Sequence, residues 1–187
     1  AGSRILAERL RWVETWCGRY AGYYRRISGA QEGSLRYQPG LRLEGAGEES
    51  DIAQAFGDAL VEGLDRDRRL GSTVAGPHRD DLLMTVQEEG RDRDLREYGS
   101  GGQRRTAALA LRLVEAATIR GARAQEPIIL LDDVFAELDE GRGERILALM
   151  EEEETGQVLL TAPKESDVRL RRDSLPRWRI QGGRVEA

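Results

Sequence analysis

The chain has 187 residues, of which 39% are hydrophobic and 34% are charged, and its formal net charge is −5. This length fits one domain or one domain with an appendage, and the acidic balance argues against a generally basic DNA-coating protein, although a local arginine patch remains compatible with it. The single cysteine, Cys17, excludes an internal disulfide framework and a cysteine-based zinc site. No apolar run is long enough to cross a membrane and no signal peptide is visible, so the expected location is the cytoplasm.

The chain begins with a long predicted helix between residues 3 and 27. Its apolar side chains recur at alternating spacings of four and three residues, which is typical of a helix packed against another helix. Ser3 is its expected N-cap, and Ser28-Gly29 is its expected end. Short extended segments are predicted to follow at residues 35–39 and 41–43.

A flexible acidic connection at residues 45–49 leads into a second predicted helix. We expect Ser50 to cap this helix, which runs to about residue 64, and the charged run at residues 65–69 to mark a boundary. The pattern of the first 70 residues therefore indicates a helical arm.

Beyond residue 70 the pattern alternates between strands and helices. Strand–helix–strand order with buried apolar runs indicates parallel pairing in an α/β core. The predicted strands are 82–86, 91–97, 127–132 and 157–161, the predicted helices are 103–122 and 140–152, and a terminal hairpin joins 177–180 to 184–185.

Residues 98–105 read Y-G-S-G-G-Q-R-R and open the predicted helix at 103–122. Gly101 and Gly102 let the backbone approach a ligand, the helix start adds a positive dipole end, and Ser100 adds a hydroxyl group. Such a loop can present N–H groups to a phosphate. Because a flexible strand-to-helix turn would explain the same residues, the loop alone is a weak indication.

Asp132 and Asp133 follow the apolar run at residues 127–131, at the carboxyl end of a predicted buried strand. Carboxylates are costly there unless a metal, a partner or solvent receives them. We expect Asp132 to hold Mg²⁺, directly or through water, and Asp133 to polarise a hydrolytic water. The alternative is that aspartate caps the helix that follows the strand.

The sequence contains no P-loop of the pattern G-x-x-x-x-G-K-[ST]. Its only lysine, Lys164, has no glycine at the required spacing, and the glycines of residues 71–76 are followed by Pro77-His78. We therefore expect that the chain alone does not bind ATP in the usual way. The sequence is interpreted as the C-terminal part of a longer polypeptide, or as one piece of a split one.

Taken in order, S-G-G-Q, a long helix, an apolar strand ending in D-D, and A-E-L-D at residues 136–139 resemble the signature motif, Walker B motif and D-loop of ABC-type ATPase heads. Within that superfamily, residues 76–82, 98–105 and 130–139 resemble the RecF family, which is related to the SMC chromosome proteins. The implied fold is α/β, the C-terminal part of an ABC/SMC-like ATPase head of the P-loop NTPase type, with a short helical arm. Residues 1–70 would form the arm and residues 71–187 the head.

The resemblance also implies an activity. RecF-like proteins dimerise head to head around two ATP molecules, bind duplex DNA near gaps, and help RecO and RecR to load RecA. Asp132 would then be the metal residue for Mg²⁺ and Asp133 the hydrolytic carboxylate, while the 100–103 loop would contact the nucleotide that the P-loop of an N-terminal half binds in the opposite protomer. The implied nucleotide contacts are Ser100, Gly101, Gly102, Gln103, Asp139 and Thr161.

Three positions depart from the family pattern. Asp133 stands where most ABC heads have glutamate, and Thr161 stands where they usually have a switch histidine. Aspartate reaches less far toward a water, and a hydroxyl group offers no cation, so both changes favour a slow, switch-like ATPase. Gly101 replaces a glutamine that is frequent in the RecF signature.

Arg79, Arg104 and Arg105 are candidate contacts to DNA phosphates, with ion pairing to nearby carboxylates as the alternative. His78 is the only histidine, which excludes a multi-histidine metal site, and we favour a hydrogen-bonded turn over contact with nucleotide or DNA. Because no sequence-reading element is evident, DNA contacts are expected to fall on phosphates and to depend strongly on salt.

The leading hypothesis is a DNA repair and recombination protein that acts in replication-linked repair and the SOS response to DNA damage. One alternative is another SMC-like or transporter-type ATPase head, against which the short arm and the G-P-H-R-D-D segment argue. The other is a non-catalytic interaction module. The lack of a P-loop lysine favours that module, whereas Ser100, Asp132, Asp133 and Asp139 argue against it.

Overall fold

The computed structural model describes residues 1–43, 49–135, 139–153, 156–163 and 176–186. Within these residues, no helix is long and apolar enough to cross a membrane. The helices are α1 (Gly2–Ser28), α2 (Glu49–Leu70), α3 (Leu95–Tyr98), α4 (Gly101–Arg123) and α5 (Glu140–Glu152), with a 3-10 turn at Pro77–Arg79. The strands are β1 (Gly33–Gln38), β2 (Asp81–Glu88), β3 (Arg91–Asp94), β4 (Ile129–Asp132), β5 (Val158–Thr161), β6 (Arg179–Gln181) and β7 (Arg184–Glu186).

Helix α1 confirms the long helix predicted from the four-three spacing, and its apolar stripe is buried. The helix ends at Gly29, which adopts φ 92° and donates its N–H to Arg25 O at 3.0 Å. The predicted cap at Ser3 is wrong, because the helix begins one residue earlier and Ala1 occupies the cap position without a side-chain bond.

Helix α2 corrects the second predicted helix at both ends. It begins at Glu49 rather than after a Ser50 cap, and it continues through the charged run at 65–69 to Leu70. Arginine and aspartate are compatible with an exposed helix face, and Arg68 Nη1 lies 3.9 Å from Asp65 Oδ1 one turn away. The predicted connection at 45–49 lies almost wholly outside the described residues.

Strands β1, β2 and β3 form an antiparallel sheet in that order, with Leu35 opposite Met84. The strand predicted at 91–97 stops at Asp94, because the Asp94 carboxylate accepts the N–H of Arg96 at 2.7 Å and caps α3. The extended segment predicted at 41–43 forms no strand. The sheet joins residues on both sides of the proposed arm–head boundary, and that division at residue 70 stays a proposal.

The main core lies where α1 packs against α4, α5 and β1. Helix α4 is two residues longer at its start than predicted and buries a wide stripe that includes Thr106, Ala110 and Val114. Across this contact, Trp12 Nε1 donates to Thr118 Oγ1 at 3.1 Å. The packing of α1 on α4 therefore holds α4, which begins within the 100–103 turn, against the main core.

Strands β4 and β5 pair in parallel, as predicted, and α5 lies between them in the chain. The prediction of a fully buried β4 is wrong: Ile129 and Leu131 are buried, whereas Leu130 is 71% exposed. Strands β6 and β7 form the predicted antiparallel hairpin across Gly182-Gly183. One face of the β4–β5 pair thus packs on the core, and the other is bare.

Candidate nucleotide site

Residues 100–103 form a capping box at the start of α4. Ser100 Oγ accepts the backbone N–H of Gln103 at 3.2 Å, and Gln103 Oε1 accepts the N–H of Ser100 at 2.8 Å. Ser100 is exposed, and because its Oγ serves as an acceptor in the cap, its own hydrogen stays available to a ligand. The turn is therefore ordered without a ligand and still presents a hydroxyl group to solvent.

Gln103 is only 8% exposed and is also held from outside the turn. Its Nε2 donates to Glu88 Oε1 at 2.6 Å, which ties the turn to the end of β2. Glu88 was not identified from the sequence, because nothing in the spacing of 15 residues predicts that this contact forms.

The two glycines of the turn differ in their surroundings. A Cβ on Gly101 would meet no atom within 4 Å, whereas a Cβ on Gly102 would lie 2.3 Å from Arg142 Nη1. Gly101 leaves open space on the outer side of the turn, where a ligand can approach the backbone. A Cβ on Gly102 would instead displace the end of the Arg142 side chain.

Asp132, Asp133 and Thr161 meet at the carboxyl ends of β4 and β5. Asp132 and Thr161 are opposite each other in the parallel register, and Thr161 Oγ1 donates a short hydrogen bond to Asp132 Oδ1. The same Oγ1 accepts the backbone N–H of Asp133 at 3.2 Å. Both aspartates are exposed, and Asp133 adopts a left-handed backbone with φ 50°. The threonine thus fixes the turn that carries both carboxylates.

The carboxylate set agrees with a magnesium site completed by phosphate and water. Among the described residues, no group of three or more His, Cys, Asp and Glu side chains could hold a metal. Mg²⁺ is commonly bound through one or two carboxylates while phosphate oxygens and waters fill its other positions. Asp132 fits this role, since Thr161 occupies one of its oxygens and the side chain faces solvent.

Asp139 is the N-cap of α5 and accepts the N–H of Arg142 at 2.9 Å. Its second carboxylate oxygen lies 3.3 Å from Arg142 Nε. The A-E-L residues of the D-loop motif, 136–138, lie outside the described residues. The i,i+3 spacing of Asp139 and Arg142 could have revealed this pair in the sequence.

In the described part of the chain, no hydrogen bond or ion pair joins Asp132 or Asp133 to the 100–103 turn. The sequence-predicted residues therefore form two groups, one at the ends of β4 and β5 and one at the start of α4 with Asp139 beside it.

The three arginines that are candidate DNA contacts differ in exposure and in their interactions. Arg79 and Arg104 are exposed, and three of the carboxylates near the candidate arginines are engaged elsewhere. Asp80 binds Arg9, Asp92 binds Arg36, and Asp94 caps α3. Arg105 is half-buried and interacts within the chain.

His78 lies in the 3-10 turn, and its Nε2 is 2.9 Å from Thr73 O. The preceding Gly76 has φ 148°, and a Cβ there would lie 3.1 Å from His78 Nδ1. These contacts are compatible with the favoured structural role of His78 in the turn, which stays a prediction.

Comparison with known proteins identifies relatives along the whole chain. No protein-family model matches the chain. The DNA replication and repair protein RecF of Chloroflexus aurantiacus is 36% identical over 191 residues, which cover 100% of this chain and 47% of that protein. A solved structure of the recombination mediator protein RecF with ATPγS, from the RecFOR pathway, has a TM-score of 0.72 at 29% identity and covers 99% of this chain and 47% of that one.

A solved SMC ATPase structure has a TM-score of 0.55 at 14% identity, covering 98% of this chain and 86% of that one, and shows that the fold is that of an SMC-like ATPase head. The predicted fold class is thereby confirmed. The chain spans about half the length of the curated relatives it matches. With sequence identity to RecF proteins along its length and a RecF-like fold in the same region, the chain belongs to the RecF family and corresponds to its C-terminal portion.

Proposed function

We propose that the chain is the signature-bearing part of an ATP-controlled DNA repair protein that dimerises around nucleotide on duplex or gapped DNA. Slow hydrolysis of ATP would reset the dimer. Its relatives are named for DNA replication and repair, and one solved relative holds ATPγS within the RecFOR pathway. By this likeness the protein would support RecA loading with RecO and RecR in the cytoplasm.

The observation that carries the proposal is the Asp132–Thr161–Asp133 group at the ends of two parallel strands. Crevices at the carboxyl ends of such strands are where α/β proteins bind ligands. Bound Mg²⁺ would neutralise charge on the phosphates. Thr161 holds Asp132 in place for the metal, and the turn at Asp133 directs a second carboxylate to the position where a water can be deprotonated or oriented.

The 100–103 turn serves the nucleotide of a second protomer in this scheme. Ser100 is exposed and keeps a hydrogen to donate, and the first turn of α4 adds a positive dipole end. Among the residues that the structure describes, no hydrogen bond or ion pair joins this turn to the aspartate pair, which suits a role in trans. The buried Gln103 holds the inner side of the turn, and we assign Asp139 to the same edge of the dimer.

The bare face of the β4–β5 pair supports a further part of the proposal. Leu130 and Leu159 are paired in register and are 71% and 39% exposed, and Ile128 beside them is 61% exposed. A buried-type strand sequence with an uncovered leucine face requires apolar cover. We propose that a P-loop-bearing segment packs there and supplies the lysine that this sequence does not contain at the site.

DNA contact is assigned to exposed arginines on the head, with Arg79 and Arg104 as the leading candidates. A protein that neutralises phosphates releases counterions, so its affinity falls steeply with salt. Charge reversal at either arginine should reduce the salt dependence together with the affinity, and equally for every duplex sequence.

The test uses the polypeptide that contains this chain together with a P-loop segment, expressed in one reading frame or as two pieces. Its mass in solution is measured by light scattering with ATP, with ADP and without nucleotide. We expect a dimer with ATP alone, and we expect Ser100→Arg to abolish it because the arginine blocks the exposed side of the turn.

Ser100→Ala is the matched control, since it loses the same capping bond without adding bulk. It should weaken the dimer less than Ser100→Arg. Asp133→Asn should preserve the dimer and slow hydrolysis. A wild-type protein that is monomeric in every condition, or dimeric without regard to nucleotide, would refute the mechanism and favour the interaction module.

A further inference from the structure

Arg142, in the first turn of α5, contacts both parts of the chain that we assign to the dimer edge, the 100–103 turn and Asp139. Its side chain is 20% exposed. On one side its guanidinium packs on Gly102, and on the other its Nε lies 3.3 Å from Asp139 Oδ2.

The contact with Gly102 is close. Arg142 Nη1 occupies space that a Cβ would need, at 2.3 Å, and Arg142 Cζ would lie 3.6 Å from it. A side chain at residue 102 would therefore displace the end of the Arg142 side chain, so Gly102 and Arg142 must be considered together. The absence of a side chain at residue 102 leaves room for the Arg142 guanidinium from α5 beside the first turn of α4.

The contact with Asp139 is an ion pair without a hydrogen bond, because Arg142 Nε is buried and has no hydrogen-bond partner among the described residues. Asp139 is 60% exposed, and exposed ion pairs contribute little free energy. The same carboxylate also caps α5 by accepting the backbone N–H of Arg142, so one residue contacts it through both its backbone and its side chain. A guanidinium is planar and can lie on a glycine while one edge faces a carboxylate, whereas a lysine ammonium is a point charge.

The opposite side of the turn is held by Glu88 through Gln103. Tyr24 lies near both charges: burial raises its pKa to about 12, Arg142 acts to lower that pKa, and Glu88 acts to raise it. The 100–103 turn therefore contacts a carboxylate from β2 at Gln103 and a guanidinium from α5 at Gly102.

We propose that Arg142 is a positioning residue that sets the 100–103 turn and Asp139 in one fixed arrangement, so that both meet the nucleotide and interface of the second protomer together. The inference rests on the proposed function, because it assigns the turn and Asp139 to the same dimer edge. Arg142 itself contacts neither nucleotide nor metal in this scheme.

The test compares Arg142→Gln and Arg142→Lys with Arg145→Gln in the P-loop-containing protein. Arg145 is the matched control: it is also an arginine of α5, but its Nε donates to Ile27 O at 2.9 Å at the end of α1. The first readout is amide hydrogen exchange without nucleotide at Gln103 and Arg104, whose N–H groups bond Ser100. The second is the dissociation constant of the ATP-dependent dimer.

We expect Arg142→Gln to speed exchange at these two amides by about tenfold while distant core amides stay protected. It should also weaken the dimer by about fivefold or more. Arg142→Lys should give intermediate values, and Arg145→Gln should change neither readout even where it lowers thermal stability.

Unchanged exchange in Arg142→Gln, or faster exchange spread evenly over the chain, would overturn the positioning role. Local loosening with no change in the dimer constant would overturn the coupling to the dimer edge. If wild type forms no ATP-dependent dimer while Arg142→Gln still loosens the turn, the proposed function fails and the positioning of the turn stands.

Discussion

Asp80 is expected to be among the most costly polar residues to remove. Its side chain is 1% exposed, and it accepts hydrogen bonds from Arg9 Nη1 at 2.7 Å, from the Gly40 N–H at 2.9 Å and from the Tyr37 hydroxyl group. These bonds tie α1 and the end of β1 to the 3-10 turn. Replacing Asp80 with alanine leaves three donors without their acceptor.

The magnitude follows from the exposure of each donor. Hydrogen bonds to a charged group are worth about 1.5–3 kcal/mol, and an exposed ion pair adds less than about 1 kcal/mol. Arg9 is 46% exposed and Gly40 is exposed, so water can replace the carboxylate at both, whereas Tyr37 is half-buried. We expect Asp80→Ala to lower the free energy of unfolding by about 3 kcal/mol.

The assay is urea unfolding of the P-loop-containing protein, followed by circular dichroism. Tyr37→Phe removes one donor and should cost about 1 kcal/mol. Asp92→Ala is the matched control, because its pair with Arg36 has both side chains about half exposed, at 45% and 56%, and it should cost under about 0.5 kcal/mol. An Asp80→Ala cost no larger than that of Asp92→Ala would refute the assignment of Asp80 as a buried anchor.

Three further predictions concern stability. Ser100→Ala removes the side-chain cap of α4 and should lower the free energy of unfolding by about 1 kcal/mol in a urea titration. Tyr20→Phe should raise it by about 1 kcal/mol, because the buried Tyr20 hydroxyl group has no hydrogen-bond partner among the described residues. Burial also raises the pKa of Tyr20 above its ordinary value of 10, so the free energy of unfolding of the wild type should fall as the pH rises above 10. The phenylalanine variant has no hydroxyl group to ionise and should lose less stability in alkali. Burial acts to raise the pKa of Glu153, but hydrogen bonds from Tyr23 and Arg19 outweigh it and hold that pKa below 4.5. Wild type should therefore lose stability as the pH falls through that lowered pKa, and Glu153→Gln should flatten this acid limb.

The elements that the sequence predicted well are those whose own residues determine them. The stripe of α1, the helix α5 and the hairpin across Gly182-Gly183 depend on periodicity and turn chemistry, which are local. The end of β3 was missed because a single Asp94 cap converts the next residues into α3. The charged end of α2 was misread because a solvated helix and a linker share the same composition.

The exposure of one face of β4 could not be predicted from the sequence of that strand alone. Its apolar run is typical of a strand covered on both faces, yet each face is covered by elements outside the strand, such as the helices that pack on a parallel sheet. The two motif groups of the site followed from residue type and spacing. The contacts of Gln103 with Glu88, and of Gly102 with Arg142, arise only when the fold brings a side chain of β2 and a side chain of α5 to the start of α4.

The backbone conformation of Asp133 helps to explain which acid stands at this position of the site. A left-handed conformation at φ 50° is adopted more readily by aspartate and asparagine than by longer residues such as glutamate. That turn is held by Thr161, which accepts the Asp133 N–H while donating to Asp132. The two departures from the common ABC pattern are therefore linked: the hydroxyl group at 161 fixes a turn, the turn favours the shorter acid at 133, and the shorter reach of that acid accounts for the slow hydrolysis that we propose.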